Sequence, residues 1–234
     1  MDKIDLHSID ADGAIAETHA AAEEALNSGD TRMSFLRKGA LAGGAALSGG
    51  AILGALLPGT ALAASQVGRP PASFGPGDVG ILNYALTLEY LESSFYNEAA
   101  KNNIAKGDKL LTAILKTTVK DENAHVKFLK GALGSKAVKE PKFNFGKAVT
   151  DKATFAATAY VLENTGVHAY LGQAGNITTP AYLLAAASIV TVEARHSGAI
   201  GLYLGKAIAP TTRDTGLPAS AVLAAVKGTG FIVS

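Results

Sequence analysis

The sequence predicts an all-α protein built around a four-helix bundle, with a long crossover between the second and third helices. Three observations favour this fold. Apolar residues recur three and four positions apart over four long segments, which is typical of amphipathic helices. The connection between the second and third segments is long, and the last two segments repeat key side chains of the first two. The four segments span residues 78–96, 107–134, 151–172 and 179–205.

Proline and glycine residues mark the ends of these elements. Residues 64–76 contain three prolines and are expected to form a linker, after which the first helix begins near Asp78. The second helix should stop at Gly134, because glycine commonly follows a helix C-terminus. Residues 135–150 then form the crossover. Pro180 suits the first turn of the fourth helix, where its missing N–H would have no helical partner.

The chain therefore divides into a bundle and flanking segments. The bundle is predicted at residues 77–206, followed by a C-terminal loop and short helix within 207–234. We expect that helix at 219–227. Residues 1–30 are polar, acidic and rich in alanine, which predicts a disordered extension. Residues 31–63 have the features of an export signal.

The predicted signal begins with basic residues and ends at small ones. Arg32, Arg37 and Lys38 precede an uncharged run rich in glycine and alanine, which closes at Ala61–Ala63. A basic start, an apolar run and an Ala-x-Ala site are typical of a cleaved secretory signal, so we expect cleavage after Ala63 and an exported, periplasmic or extracellular protein. The start resembles the twin-arginine export signal, but Met33 replaces the second arginine.

An uncleaved membrane anchor is the alternative interpretation of this segment. The uncharged run at residues 39–57 is close to the minimum length that spans a bilayer. Its many glycines make it a poor transmembrane helix, so contact with a membrane during export alone is the preferred prediction.

Composition excludes several kinds of site. The 234 residues include no cysteine, which rules out disulfides, thiol chemistry and zinc–thiolate sites. Net charge is only +1, and no cluster of lysine and arginine with interleaved aromatic residues suggests nucleic-acid binding.

A candidate metal site is carried by the four long helices. The first and third each have a single glutamate, and the second and fourth each have Glu-x-x-His, in which both side chains share one helix face. Carboxylate oxygen with imidazole nitrogen suits iron or manganese, so two such ions are expected, with the two single glutamates as bridging ligands. The six predicted ligands are Glu89, Glu122, His125, Glu163, Glu193 and His196.

The scarcity of other charges supports this prediction. Glu163 is the only acidic or basic residue within 155–176, apart from a histidine, and Glu193 is the only acid within 180–195. Helices with so few charges should be buried on most sides. A buried carboxylate is unfavourable unless it is paired, protonated or bound to a metal.

The internal repeat helps to choose between neighbouring glutamates on the first helix. Glu89 and Glu92 lie three residues apart and share a face. The repeat aligns Glu89 with Glu163, but it aligns Glu92 with Gly166. Glu89 is therefore the predicted ligand, and Glu92 is expected to be an alternative ligand or a neighbour of the site.

Two tyrosines occupy equivalent positions in the repeat. Tyr96 and Tyr170 each follow a predicted ligand, Glu89 or Glu163, by seven residues and so return to its helix face. Core packing is one interpretation. The other is a hydrogen-bonding or redox role beside the metals.

Three further polar residues lie close to the predicted ligands in sequence. Asp121 and Arg195 each adjoin a ligand but point away from its face, so a solvated position is expected, with orientation of the histidines as the alternative. His168 faces elsewhere and is expected to be a surface or structural residue.

The segment Asp78–Tyr96, DVGILNYALTLEYLESSFY, together with the ligand pattern, resembles the ferritin-like superfamily, and most closely its exported, desiccation-related branch. The resemblance covers about residues 76–206. It implies a di-iron or di-manganese site that handles dioxygen or hydrogen peroxide, with the six predicted ligands in that role. Activities across the superfamily include iron oxidation and storage, peroxide disproportionation and oxygenation.

Three functions are compatible with these features. The leading hypothesis is an exported di-metal redox protein that consumes dioxygen or peroxide in protection against oxidative or drying stress. The second is a non-catalytic structural or stress-binding protein that metals merely stabilise. The third is an iron-storage cage, and either of the first two could also form a homo-oligomer.

Overall fold

The structure, a computed structural model, describes residues 68–233. Within this range the chain forms five α-helices and short 3-10 turns, with one isolated bridge between Phe143 and Ile232 and no β-strand. The prediction of an all-α bundle with a crossover between its second and third helices is confirmed. The helices are α1 (Gly77–Lys101), α2 (Lys109–Leu133), α3 (Lys152–Ala174), α4 (Pro180–Tyr203) and α5 (Ala219–Thr229).

The helices begin and end within a few residues of the predicted positions, apart from the C-terminus of α1, which extends to Lys101. The acidic extension at 1–30, the export signal at 31–63 and the first residues of the linker lie outside the described range. Those three predictions therefore stay predictions.

Aspartates fix the starts of three helices. Asp108 accepts a hydrogen bond from the backbone N–H of Leu111, and Asp151 accepts one from Thr154, so both cap free donors at helix N-termini. Asp78, in the first turn of α1, accepts from the backbone N–H of Thr179 at the start of α4. This last contact ties the first helix of the bundle to the fourth.

The helices pack in two pairs, α1 with α2 and α3 with α4. Along α2 and α4, apolar residues of one cluster precede the predicted ligands and apolar residues of a second cluster follow them. On α2, Leu115 and Leu129 lie on either side of the ligands, and on α4 Ile189 and Ile200 do so. A polar layer is therefore held between two apolar layers, which exclude water from it.

The segment after α4 packs back onto α3. Leu217 donates a backbone hydrogen bond to the carbonyl of His168, whose ring Nδ1 lies 2.5 Å from the carbonyl oxygen of Thr215. A Cβ on Gly172 would lie 1.9 Å from the carbonyl oxygen of Leu217, so only glycine permits this approach. His168 thus has the structural role that was expected.

The end of the predicted linker is attached to the bundle. Arg69 donates to the carbonyl of Asn176, and Gln173 and Ala219 both donate to the carbonyl of Gly68. The last residues of the predicted linker therefore contact the bundle through the carbonyl of Gly68 and the side chain of Arg69.

Helix α4 is less buried than expected. The apolar run at its N-terminal half was predicted to be covered on most sides, yet Leu184 is 73% exposed and Ala181 and Ala187 are also exposed. The helix contacts α3 along one face and leaves another uncovered by any residue of 68–233. No helix in this range combines the length and the apolar character that crossing a membrane requires.

Candidate metal centre

The six predicted ligands meet in the polar layer of the bundle. The four glutamates among them are 0% exposed, and His125 and His196 are 8% and 4% exposed. They supply two groups of potential ligand atoms, and within each group all atoms lie within 4.8 Å of one another. The first group is Glu89, Glu122, His125 and Glu193, and the second is Glu122, Glu163, Glu193 and His196.

Two carboxylates belong to both groups. These are Glu122 and Glu193, the glutamates of the two Glu-x-x-His motifs, whereas Glu89 and Glu163 each belong to one group. The sequence favoured the single glutamates as bridging ligands, whereas the glutamates common to both groups are those of the two motifs. A glutamate and a histidine three residues apart diverge by about 60° around the helix, so the histidine can belong to one group while the glutamate belongs to both.

The buried charge is not balanced by protein cations. Glu92 is also buried, which brings the carboxyl groups of the layer to five. Within residues 68–233, the only basic groups within 4 Å of the buried glutamates are the rings of His125 and His196. With the five carboxyl groups ionised, a net negative charge would remain even if both rings were protonated, and a buried charge without compensation is strongly unfavourable.

Protonation equilibria reflect this crowding. Burial raises the pKa of Glu122, Glu163 and Glu193, and neighbouring carboxylates raise it further. Burial alone would lower the pKa of His196, but the carboxylates of Glu122 and Glu163 more than reverse this and raise the pKa to about 11. Without a metal, the crowding of carboxylates therefore disfavours the charged form of these three glutamates and favours the charged form of His196.

Several of these atoms converge without bonding to one another. His196 Nδ1 lies 2.9 Å from Glu122 Oε1, and His125 Nδ1 lies 3.0 Å from Glu193 Oε1. Neither of these two contacts is a hydrogen bond, although His125 Nδ1 does form one with Glu89 Oε2 at 3.2 Å. Both oxygens of Glu122 and of Glu193 lack a hydrogen-bond donor in the described part of the chain. Ligand atoms that approach one another closely while several of them lack hydrogen bonds are typical of a cation site.

The two histidines differ in the partner of their second ring nitrogen. Nε2 of His196 lies 3.4 Å from Asp121 Oδ2, which supports the alternative that Asp121 orients a histidine, while the Asp121 side chain stays 24% exposed. A carboxylate behind a ligand histidine fixes its tautomer and orientation. His125 has no equivalent partner within residues 68–233, and its ring instead forms part of the wall of a groove.

The two tyrosines make hydrogen bonds across the repeat. Tyr96 donates to Oε1 of Glu163, and Tyr170 donates to Oε1 of Glu89. Each hydroxyl therefore holds the carboxylate of the other helix pair rather than the one on its own helix. Both rings also belong to the apolar clusters, so packing and hydrogen bonding occur together.

Glu92 enters the layer through a space left by glycine. A Cβ on Gly166 would lie 3.3 Å from Glu92 Oε1 and 3.4 Å from Glu193 Oε2. Burial raises the pKa of Glu92 well above its usual range, with Glu193 as the main charged contributor. Glu92 is thus a fifth carboxyl group beside the two ligand groups, and the glycine that aligns with it in the repeat makes room for it.

Sequence reasoning offered the pairing of Asp121 with a histidine only as an alternative, and it missed the crossing of the tyrosine hydrogen bonds. A signal for the first was present, because the repeat aligns Asp121 with Val192 and so identifies an acid that only one motif has. The second depends on how the two helix pairs face each other, which no spacing along the chain reveals.

Comparison with known families agrees with this geometry. Residues 77–206 match the model of the ferritin-like domain, which is more than half of the chain, so the chain belongs to the ferritin-like family. No curated protein sequence matches it. The family part of the resemblance is confirmed, whereas the desiccation-related branch and the export signal stay predictions.

Proposed function

We propose that this member of the ferritin-like family binds two iron or manganese ions in its polar layer and uses them in redox chemistry with dioxygen or hydrogen peroxide. The observation that carries the proposal is the buried excess of negative charge. Five carboxyl groups and two imidazoles meet in a layer that no lysine or arginine of residues 68–233 enters. Two divalent cations would compensate that charge and satisfy the oxygens that lack hydrogen bonds.

The residues present fit such ions. One ion would be held by Glu89 and His125, the other by Glu163 and His196, and both would share Glu122 and Glu193. Oxygen and imidazole ligands suit iron and manganese, and the absence of cysteine removes the ligands that favour structural zinc.

When bound, such ions would supply one-electron steps that dioxygen or peroxide reduction needs. The protein would supply the geometry. Tyr96 and Tyr170 hold the two unshared carboxylates, and Asp121 holds His196 in one orientation. The apolar layers on either side keep bulk water away from the ions, which strengthens electrostatic interactions among the charged groups.

The place of action that we propose is outside the cytoplasm. This rests on the basic, apolar and Ala-x-Ala pattern of residues 31–63. Mass determination of the N-terminus after expression in a bacterial host would test it: a mature chain beginning at Ala64 is expected, and an intact Met1 in the membrane fraction would favour an anchor.

Elemental analysis tests the metal site directly. The chain should be purified without chelators, and about two iron or manganese ions per chain are expected from the two ligand groups. A folded protein with no bound transition metal would contradict the proposal.

Consumption of dioxygen during iron(II) oxidation, and of hydrogen peroxide, tests the redox role. The metal-loaded protein should consume at least one of them, and the same preparation after chelation should not. Metals that raise the unfolding temperature without any consumption would favour a structural or stress-binding protein instead.

A further inference from the structure

An open groove runs between α2 and α4 and reaches the candidate metal centre. Its volume is about 1060 Å³, and among the six predicted ligands only His125 lines it. On α4 it extends from Ala181 to Val192, which is about 16 Å along the axis at 1.5 Å per residue. No residue of the described range covers it.

The groove is open because its walls carry small side chains. Ala124, Gly131 and Ala132 on α2 face Ala181, Ala185 and Ser188 on α4. The seam between α1 and α3 is different: Leu82, Tyr84 and Tyr170 are among the larger side chains there, and the remaining void is about 20 Å³. The same bundle therefore fills one seam and leaves the other accessible.

Large apolar side chains at the groove remain in contact with water. Phe128 is 47% exposed and Leu184 is 73% exposed, and both line the groove from opposite helices. An aliphatic ligand lying between them would remove this apolar surface from water, at about 25 cal/mol per Å² buried.

The charge at the groove is positive. Lys127 is the only lysine, arginine, aspartate or glutamate among the residues that line it. From Ala181 to Val192 the opposite wall has no charged residue. A ligand with an anionic head group is therefore electrostatically complementary to the groove, whereas a cationic one is not.

We propose that the groove between α2 and α4 binds an anionic amphiphile of the fatty-acid type, with its aliphatic chain along the alanine-rich walls and its head group near Lys127. Binding of the amphiphile depends on the groove alone. Only the idea that the bound amphiphile is also a substrate of the metal centre rests on the proposed function. The ligand would lie over His125, whose second ring nitrogen has no carboxylate partner among residues 68–233.

Calorimetric titration of the purified protein with dodecanoate, kept below its micelle-forming concentration, tests the site. One saturable site per chain is expected. Ala185→Phe would fill the groove and weaken binding at least about tenfold, which is about 1.4 kcal/mol. Ala187→Phe introduces the same side chain on an exposed position of the same helix outside the groove, and should bind as the parent does.

The charge requirement has its own pair of variants. Lys127→Glu should weaken dodecanoate binding severalfold, whereas Lys116→Glu, an exposed lysine of the same helix away from the groove, should not. Dodecyltrimethylammonium should bind the parent protein more weakly than dodecanoate does.

Three results would overturn the proposal: no saturable dodecanoate binding, equal losses for the two alanine variants, or equal affinity for the cationic amphiphile. The first would also result if a second copy of the chain, or the residues before Gly68, filled the groove, and sedimentation of full-length and shortened chains distinguishes these occupants. Metal content measured on the same samples shows separately whether the proposed function holds.

Discussion

The two halves of the candidate centre have the same ligand types but different surroundings. In the half that contains His196, the second ring nitrogen faces Asp121, 3.4 Å away, and the ring is enclosed. In the half that contains His125, no described residue holds the second nitrogen, and the ring borders the groove between α2 and α4. The half with His196 therefore has a histidine held in a fixed orientation, whereas the half with His125 is accessible from the groove.

The internal repeat locates the origin of this difference. Asp121, one residue before the Glu-x-x-His motif of α2, corresponds to Val192 before the motif of α4. Glu92 on α1 likewise corresponds to Gly166 on α3. The repeat preserves the ligands and varies their neighbours, so function can differ between two positions that a ligand count would treat as equal.

The largest expected effect is on metal content, and it differs between carboxylates that belong to both ligand groups and those that belong to one. Glu122→Gln should remove most of both metals, because Glu122 belongs to both ligand groups, whereas Glu89→Gln should lower occupancy of one position only. Elemental analysis after dialysis against a defined metal concentration measures both. Similar metal contents in the two variants would contradict the shared role.

These variants also contain a control for folding. Replacing a buried carboxylate with an amide removes a charge from the layer, so the metal-free variants should be at least as stable as the metal-free parent. Denaturant unfolding of the chelated proteins measures this, and it shows whether loss of metal reflects loss of a ligand rather than loss of structure.

An intermediate effect on metal affinity is expected when the carboxylate that contacts His196 is removed. Asp121→Ala should weaken one of the two metal positions by about 10–100-fold and leave the other unchanged, since a partner of a ligand histidine is removed. Titration with manganese(II), followed by electron paramagnetic resonance, resolves the two positions. Equal weakening of both would show that Asp121 does not act through His196.

Val192→Asp tests the same asymmetry from the other side. Val192 is half-buried at the groove, so a carboxylate there can reach water as well as the region of His125. The difference between the two metal affinities should become smaller. No change in that difference would mean that the repeat does not predict which neighbour supports each histidine.

The smallest expected effect concerns two glycines within helices. Gly131→Ala should stabilise the metal-free protein by up to about 1 kcal/mol, because nothing lies within 4 Å of the added methyl group and alanine favours a helix. Gly166→Ala should gain less or destabilise, since its methyl group would meet Glu92 and Glu193 at 3.3 and 3.4 Å. If denaturant unfolding shows equal increases in the free energy of unfolding for the two variants, Gly166 has no steric role.

Much of the site could be predicted because its ligand motifs are short and each lies on a single helix. Glutamate and histidine three residues apart share a helix face wherever the helix lies, so Glu122 and His125 could be paired from the sequence alone. Their convergence with Glu89 from another helix followed from the order of the motifs and the bundle architecture. Which carboxylates are shared could not be predicted in the same way, because it depends on distances between helices.

The sequence by itself determined the helices, their order, the long crossover and the six predicted ligands in the polar layer, since periodicity, proline, glycine and isolated acids are properties of position along the chain. Only the tertiary structure decided that Tyr96 holds Glu163, that Asp121 supports His196 and that His125 borders an open groove. The physical reason is that these features depend on the rotation of each helix about its axis and on the width of each seam. Both are set by how all the side chains pack together.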